Sequence, residues 1–519
     1  MMLLLVICLL AAGACGGKGG KAGARHPAEG AVEAAAPTER TESQIARDSE
    51  LAEAASALID LHVNHSHDIS ADGKTITFVS DRDGLSQVYL AQVDKPKDPP
   101  VRLTETTERC EFPRFTPDGK HIVYVSDTGG NQRYRIFSVA AGGGEPVCLT
   151  PDEGLERHAP FMTADGSTMV YSAGSMEEGK TLIFSQPLAG GEAKQIVSVE
   201  GMAFLMALSA DGGTGLFLQA ASLSDIKVLA LDVKKAAMRR IYPAEGKEAA
   251  VFGAALSIDG KDAFVGTDGG GQQAMVLRLD IDSGEEKARY LEDKVPTGVF
   301  KDMKLTPDGK TLLARLTAGA HDALRLLDTV KLEPVAGPKI PAGRITGLWG
   351  CSKEPRACLV VMSLPRAPED AYFIDLDKLT FSPAGLEGWP AGAEIPKVEI
   401  SVVQVPSTDG VSVPVNVWLP EELAEGKKLP VIVSMHGGPA GTSQLKWDPI
   451  ALFFINHGYA WVAPNVRGSA GFGRDWEKAD DGKNRMKSVE DMQSVGKWAA
   501  QQPWADAERL VLYGGSYGG

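Results

Sequence analysis

The sequence predicts an all-β seven-bladed propeller followed by an α/β domain whose doubly wound sheet is incomplete in this chain. Three observations predict it. The dipeptide Asp-Gly recurs at Asp72-Gly73, Asp118-Gly119, Asp165-Gly166, Asp211-Gly212, Asp259-Gly260 and Asp308-Gly309, in steps of 46 to 49 residues. The first three copies are each followed by two short β-rich runs about ten residues apart, such as His121-Ile-Val-Tyr-Val-Ser126 and Ile136-Phe-Ser138. A period a little above 40 residues built of strands and turns is the pattern of propeller blades. From about Lys397 the repeat stops, and apolar strands alternate with helical patterns, as a parallel sheet with crossover helices requires.

The chain begins with an apolar run, residues 1–14, that is too short for a bilayer, which needs roughly 20 apolar residues. It reads as the hydrophobic region of a signal peptide over residues 1–15. Small residues directly before Cys15 make that cysteine a candidate lipidation site, with plain secretion as the alternative. Either route implies an exported protein of the periplasm or cell surface, and lipidation would let it touch a membrane through its N-terminus. Residues 16–55 read as a flexible linker, Gly/Ala-rich at its start. Within it, Thr41-Glu-Ser-Gln44 has the form of a capping box opening a short helix through Leu58.

The propeller is assigned to residues 56–395. Most repeat copies read Ser/Thr-x-Asp-Gly, a tight turn in which glycine supplies positive φ. A seventh unit lacks the marker but keeps its strands, Cys358-Leu-Val-Val-Met362 and Tyr372-Phe-Ile-Asp375. Asn64-His-Ser-His67 offers two histidines but no third ligand, so it is taken as a solvated loop before the first blade rather than a metal site. Four cysteines lie beyond the leader, and in an exported protein Cys351–Cys358 and Cys110–Cys148 are candidate disulfides, with free thiols as the alternative.

Residues 396–519 form the α/β region. Two β runs flank Ser407-Thr-Asp-Gly410 as an antiparallel pair. Leu429–Met435, Tyr459–Ala463 and Leu510–Tyr513 are apolar strands, and 451–455 and 488–501 are helices, with Ser488 a candidate N-cap. The last strand runs into Gly514-Gly-Ser-Tyr-Gly518. Gly-x-Ser-x-Gly after a strand is the nucleophile elbow of an α/β-hydrolase. Ser516 is the candidate nucleophile, and Gly514 and Gly518 keep the strained turn free of side chains. His436-Gly-Gly-Pro439 follows another strand, where an oxyanion loop would lie. The candidate oxyanion donors are the N–H of Tyr517 and the His436-Gly437 region. Arg467-Gly-Ser-Ala-Gly-Phe-Gly473 lacks the lysine of a phosphate loop and is read as a loop at the site edge. No cofactor or metal is called for. The net charge of −15 argues against nucleic acid as a partner.

Several motifs stand together in order: His436-Gly-Gly-Pro439, Trp447-Asp-Pro449, Pro464-Asn-Val-Arg-Gly-Ser469, Gly471-Phe-Gly473 and Gly514-Gly-Ser-Tyr-Gly-Gly519. Behind a seven-bladed propeller, they resemble the prolyl oligopeptidase family of serine peptidases, with the dipeptidyl-peptidase and acylaminoacyl-peptidase branches nearest. The first-blade run Ser80-Asp-Arg-Asp-Gly84 resembles a TolB-type repeat. The resemblance implies a peptidase acting on short peptides through an acyl-enzyme on Ser516, with the propeller restricting access, and it supports His436 as part of the oxyanion hole.

In such hydrolases the triad acid and histidine follow the serine, and all nine histidines here precede Ser516. The expectation is therefore a longer protein represented by its N-terminal part, inactive as it stands. Two other readings remain open, a TolB-like binding scaffold with a vestigial hydrolase and an esterase. Glu177-Glu178 could grip a substrate amine, but acidic loop pairs are more often simply solvated.

Overall fold

The computed structural model describes residues 41–519 except 132, 152–153, 176–178, 223, 296, 387–396 and 439. Cys15 with its leader, the first part of the linker, Glu177, Glu178, Pro439 and the boundary at 395–396 therefore lie outside the described residues.

Seven separate antiparallel sheets follow one another along the chain, over residues 64–102, 110–148, 156–200, 203–242, 251–291, 299–328 and 344–383. The sixth has three strands among the described residues; the others have four or five. The recurring Asp-Gly stands between the first and second strand of blades one to six. In every copy the Ser or Thr hydroxyl donates to the aspartate two residues on, at 2.6–2.7 Å. The glycine that follows has φ between +68° and +71°. The carboxylate is thus an acceptor that holds the turn, and glycine is the residue that enters that φ without strain. Blade seven replaces this turn with 353–356, and the Cys351–Cys358 disulfide clips its base, where the two cysteines are register partners. Cys110 and Cys148 are free thiols. Cys110 is buried beside Thr104, Thr106 and Gln87, so the second candidate bridge is not formed.

The ring closes between blades seven and one by side-chain packing. Ile69, Ile76, Phe78 and Tyr89 of blade one share a core with Leu359, Val361 and Ala371 of blade seven. Asn64 and Arg82 both donate to the Leu386 carbonyl. The segment taken as a solvated loop is instead the innermost strand of blade one, Asn64–Ile69, with a bulge between His65 and Asp68 and Ser66 at φ +53°. His67 is buried there, stacked on Phe78 and edge-on to Trp349. Its polar sequence lacks apolar alternation because the bulge sends consecutive side chains to irregular directions.

The α/β region is a five-stranded sheet. Its strands are β1 (Val398–Pro406), β2 (Ser412–Pro420), β3 (Leu429–Met435), β4 (Ala460–Pro464) and β5 (Ala505–Gly514), in the order β1-β2-β4-β3-β5. β1 and β2 are antiparallel, while β3 runs parallel to both β4 and β5. Helix α1 (Glu42–Ile59) begins in the capping box read from the sequence, with Thr41 accepting from Gln44 N–H and the Gln44 side chain accepting from Thr41 N–H. Residues 42–55 are therefore helix rather than flexible linker. One narrow stripe ending at Leu58 packs α1 against α2 (Pro449–Asn456) in a cluster with Trp418, Ile432, Trp447 and Leu452.

Helix α3 (Met486–Ala500) starts two residues before the candidate cap. Ser488 lies inside it and donates to the Arg485 carbonyl, and Arg485 occupies the cap position with no side-chain cap bond. The buried face carries Ser488, Asp491, Val495 and Ala499. Asp491 is fully buried because it is paired with Arg467.

Candidate active site

The register of β3 and β5 builds the site. Gly514 at the end of β5 is the parallel partner of Met435 at the end of β3. The residues that follow, His436-Gly437 and Gly515-Ser516, therefore leave the sheet side by side. Ser516 has φ +57° and opens a single 3-10 turn, Ser516–Gly518. A side-chain-bearing residue held in that region is strained, and such strain persists where surroundings over-determine it. Here the surroundings are glycines. A Cβ on Gly514 would overlap the Gly518 carbonyl. A Cβ on Gly518 would stand 2.5 Å from the Met435 carbonyl oxygen and 2.9 Å from that of His436. The elbow glycines are thus demanded by close backbone packing, and Ser516 itself is exposed.

Gly437 faces the serine. A Cβ built on it would lie 3.5 Å from Ser516 Cβ and 4.0 Å from Ser516 Oγ. The candidate oxyanion loop and the candidate nucleophile are therefore neighbours, although 79 positions separate Gly437 from Ser516. The His436 ring is fixed on both nitrogens. Nδ1 lies 2.8 Å from the Gly437 carbonyl oxygen, and Nε2 lies 2.8 Å from Ser469 Oγ. A carbonyl can only accept, so Nδ1 carries the proton and Nε2 accepts from the serine hydroxyl. Burial lowers the His436 pKa, consistent with this neutral form. His436 thus contributes to the site through its backbone, while its ring braces the loop.

Two further anchors were not visible in the sequence. Tyr517 OH donates to Asp480 Oδ2 at 2.5 Å, and the Arg485 guanidinium lies 3.8 Å from the Tyr517 ring centroid. Burial, then the bond to Asp480, push the Tyr517 phenol up to about 12. The side chain of the residue after the nucleophile is thereby tied down, which fixes its backbone N–H. Behind Ser469, Arg467 donates to Asp491 from Nε at 3.0 Å and Nη2 at 2.6 Å, and also to Asp409. The 467–473 loop is a brace for His436. It is also a contact with the propeller: Gly319 N–H donates to the Gly471 carbonyl at 3.1 Å. Arg474 donates to Asp268 of blade five and to the Ser224 carbonyl of blade four.

Among the described residues no group of three or more His, Cys, Asp or Glu is arranged to hold a metal ion. His457, the other histidine of this region, sits at the C-terminal end of α2 with Nδ1 2.6 Å from the Phe453 carbonyl.

Comparison with known proteins bears on this geometry. Residues 446–519, which carry the 467–473 loop and the elbow, match the prolyl oligopeptidase family. Over those residues the chain is similar to that family. Dipeptidyl aminopeptidase BIII of Pseudoxanthomonas mexicana is 24% identical over 498 residues, covering 87% of this chain. The acylamino-acid-releasing enzyme of Sus scrofa is 33% identical over 100 residues, 19% of this chain and 14% of that protein. A prolyl endopeptidase structure superposes with a TM-score of 0.73 at 18% identity, covering 91% of this chain and 71% of the other, which bears on fold alone. The chain spans 66% of the length of the dipeptidyl aminopeptidase. The prolyl oligopeptidase architecture accounts for both parts of the molecule, a seven-bladed propeller and a hydrolase sheet ending in a Gly-x-Ser-x-Gly elbow.

Proposed function

We propose that this chain carries the nucleophile and oxyanion loop of a serine peptidase that cleaves short peptides through an acyl-enzyme on Ser516. The observation that carries the reading is the pairing of a strained, exposed Ser516 with Gly437, turned so that a Cβ added to it would stand 4.0 Å from Ser516 Oγ. In the proposed reaction Ser516 Oγ attacks the scissile carbonyl, and the backbone N–H groups of Tyr517 and Gly437 receive the charge that develops on its oxygen. The proton given up by Ser516 passes to the nitrogen, the amine leaves, and water then releases the acyl group as a carboxylic acid and restores the Ser516 hydroxyl. The dipeptidyl aminopeptidase and acylamino-acid-releasing relatives support short peptides as the substrate class.

A serine attacks poorly without a base. Within the hydrolase residues, both His436 nitrogens are engaged and His457 faces its own helix end, so neither is placed to take the Ser516 proton. We accordingly expect the 519 residues alone to hydrolyse peptides at a small fraction of the rate of a complete triad. Cys15 supports a further proposal, an exported protein held at a membrane through an N-terminal lipid, which radiolabelled palmitate incorporation lost in Cys15→Ser would test.

The test of function uses the protein as its own cell makes it. A fluorophosphonate probe should label Ser516, and hydrolysis of dipeptide amides should vanish in Ser516→Ala. Hydrolysis that survives Ser516→Ala unchanged would remove Ser516 from the mechanism.

A further inference from the structure

The seam between the propeller and the hydrolase holds an open cavity of about 270 Å³, lined in part by Leu58, Arg344, Ser363, Glu369, Lys446 and Trp447. That is a little below the roughly 300–1,000 Å³ of ordinary small-molecule pockets. Two cations face it from opposite domains. Arg344 opens the innermost strand of blade seven, Arg344–Ser352, and Lys446 lies in the loop that leads from the oxyanion loop to α2. Neither side chain makes a hydrogen bond or an ion pair among the described residues, and Arg344 Nε is buried without a partner. A buried donor left unpaired is costly, and a guanidinium is built to pair with planar or tetrahedral oxyanions.

The neighbouring acids do not relieve this. Asp322 is committed to Arg315 at 3.0 Å and to the Ile345 N–H. Asp448 caps α2 through the N–H groups of Ile450 and Ala451. Glu369 is the one carboxylate among the described lining residues. It interacts with both cations, one negative charge against two, which leaves the lining with excess positive charge. Burial, then the charge of Arg344, hold the Lys446 amine below its ordinary pKa. An anion between the two would relieve both groups.

We propose that this cavity is an anion site in which Arg344 of the propeller and Lys446 of the hydrolase together hold one carboxylate or phosphate group of a small ligand. The position gives such a ligand a lever on the hydrolase. The loop carrying Lys446 is already fastened to the propeller by Leu445 N–H to the Ala320 carbonyl, Gln444 to Asp322 and Trp447 N–H to Ser363 Oγ. The same loop begins at Gly437, beside Ser516. An anion bridging Arg344 and Lys446 adds a contact that exists only while the domains are together.

Calorimetry on the full chain at low salt tests this by binding, independently of any hydrolysis. The probes are inorganic phosphate, acetyl-trialanine as the free acid and the same peptide as its amide. The free acid or phosphate should bind, the amide should not, and binding should weaken as salt is raised. Arg344→Gln and Lys446→Gln should each weaken it about tenfold or more, with Lys446→Arg retaining it. Binding of the free acid without phosphate identifies a peptide terminus as the ligand, and the reverse identifies a free oxyanion. Equal binding of acid and amide with none of phosphate, no binding of any probe, or binding indifferent to both Gln variants would overturn the proposal. The acid–amide comparison needs no variant, so a misfolded mutant cannot hide the answer.

Discussion

Arg467 and Asp491 form a buried two-bond ion pair, Nε at 3.0 Å and Nη2 at 2.6 Å, in the wall behind the loop that braces His436. Asp491 is fully buried, and Ser407 Oγ donates to it at 2.6 Å. Removing the cation strands a desolvated carboxylate. Arg467→Met should cost about 3–5 kcal/mol of stability in urea unfolding, and the Arg467→Met, Asp491→Leu double variant should recover much of it. A loss below about 1 kcal/mol would mean that the pair does not hold this wall.

Gly518 is where the elbow and the oxyanion loop press together. A Cβ there meets the carbonyl oxygens of Met435 and His436 at 2.5 and 2.9 Å, so Gly518→Ala must push the two segments apart. Labelling of Ser516 by a fluorophosphonate should slow by about 100-fold or more, the scale of losing an oxyanion donor, while the propeller melts as before. Unchanged labelling would show that the spacing is irrelevant to the serine.

The Asp-Gly turns give a different kind of test. Gly119 has φ +71° and open space around its Cα. Gly119→Ala should therefore cost about 1–2 kcal/mol through backbone strain alone, with Gly119→Asn costing less, since asparagine tolerates that region. Equal losses for the two, measured by thermal unfolding, would point to something other than φ.

Acid should loosen the seam between blades one and seven. Burial lowers His67 to about 3, and burial with Arg109 lowers His65 to about 4. A histidine held neutral in the fold contributes stability above its unfolded pKa near 6.5, and that contribution is lost as pH falls toward the folded value. Stability should decline between about pH 6.5 and 3. His67→Phe should flatten the slope by about 1.4 kcal/mol per pH unit, one proton's share, and an unaltered slope would exclude His67 as the group responsible.

The Tyr517 phenol should titrate late. With its pKa near 12, its share of stability is complete below pH 10 and is lost as pH rises through 12. Difference absorbance at alkaline pH should show several late phenolates, Tyr89, Tyr290 and Tyr372 among them, of which one moves earlier in Asp480→Asn.

What the sequence made legible is what repeats or is local. The Ser/Thr-x-Asp-Gly turns announce six blades because one hydroxyl–carboxylate bond and one glycine φ recur in each. The Thr41–Gln44 box announces α1, and Gly514-Gly-Ser-Tyr-Gly518 announces the elbow, because each pattern is closed within a few residues. What stayed hidden joins distant positions. Tyr517 with Asp480, Ser469 with His436, and Arg467 with Asp491 each pair ordinary residues 24 to 37 positions apart. The misread parts share that cause. Asp491 turns inward because its partners Arg467 and Ser407 lie elsewhere, and Asn64–Ile69 looked solvated because a bulge erased its alternation. Cys110 begins a repeat as Cys148 ends it, yet that symmetry in the sequence brought no bridge.

Blades one and seven meet through packed side chains rather than a shared strand, and this gives the hydrolase a second employment. The chain enters the propeller after Leu58 and leaves it before Val398, and both residues belong to one apolar cluster with Trp418, Ile432 and Leu452. The belt of blades is therefore buckled outside itself. Its two ends are pinned in the core of the domain that it covers, a second fastening beside the one the packed blades make for themselves.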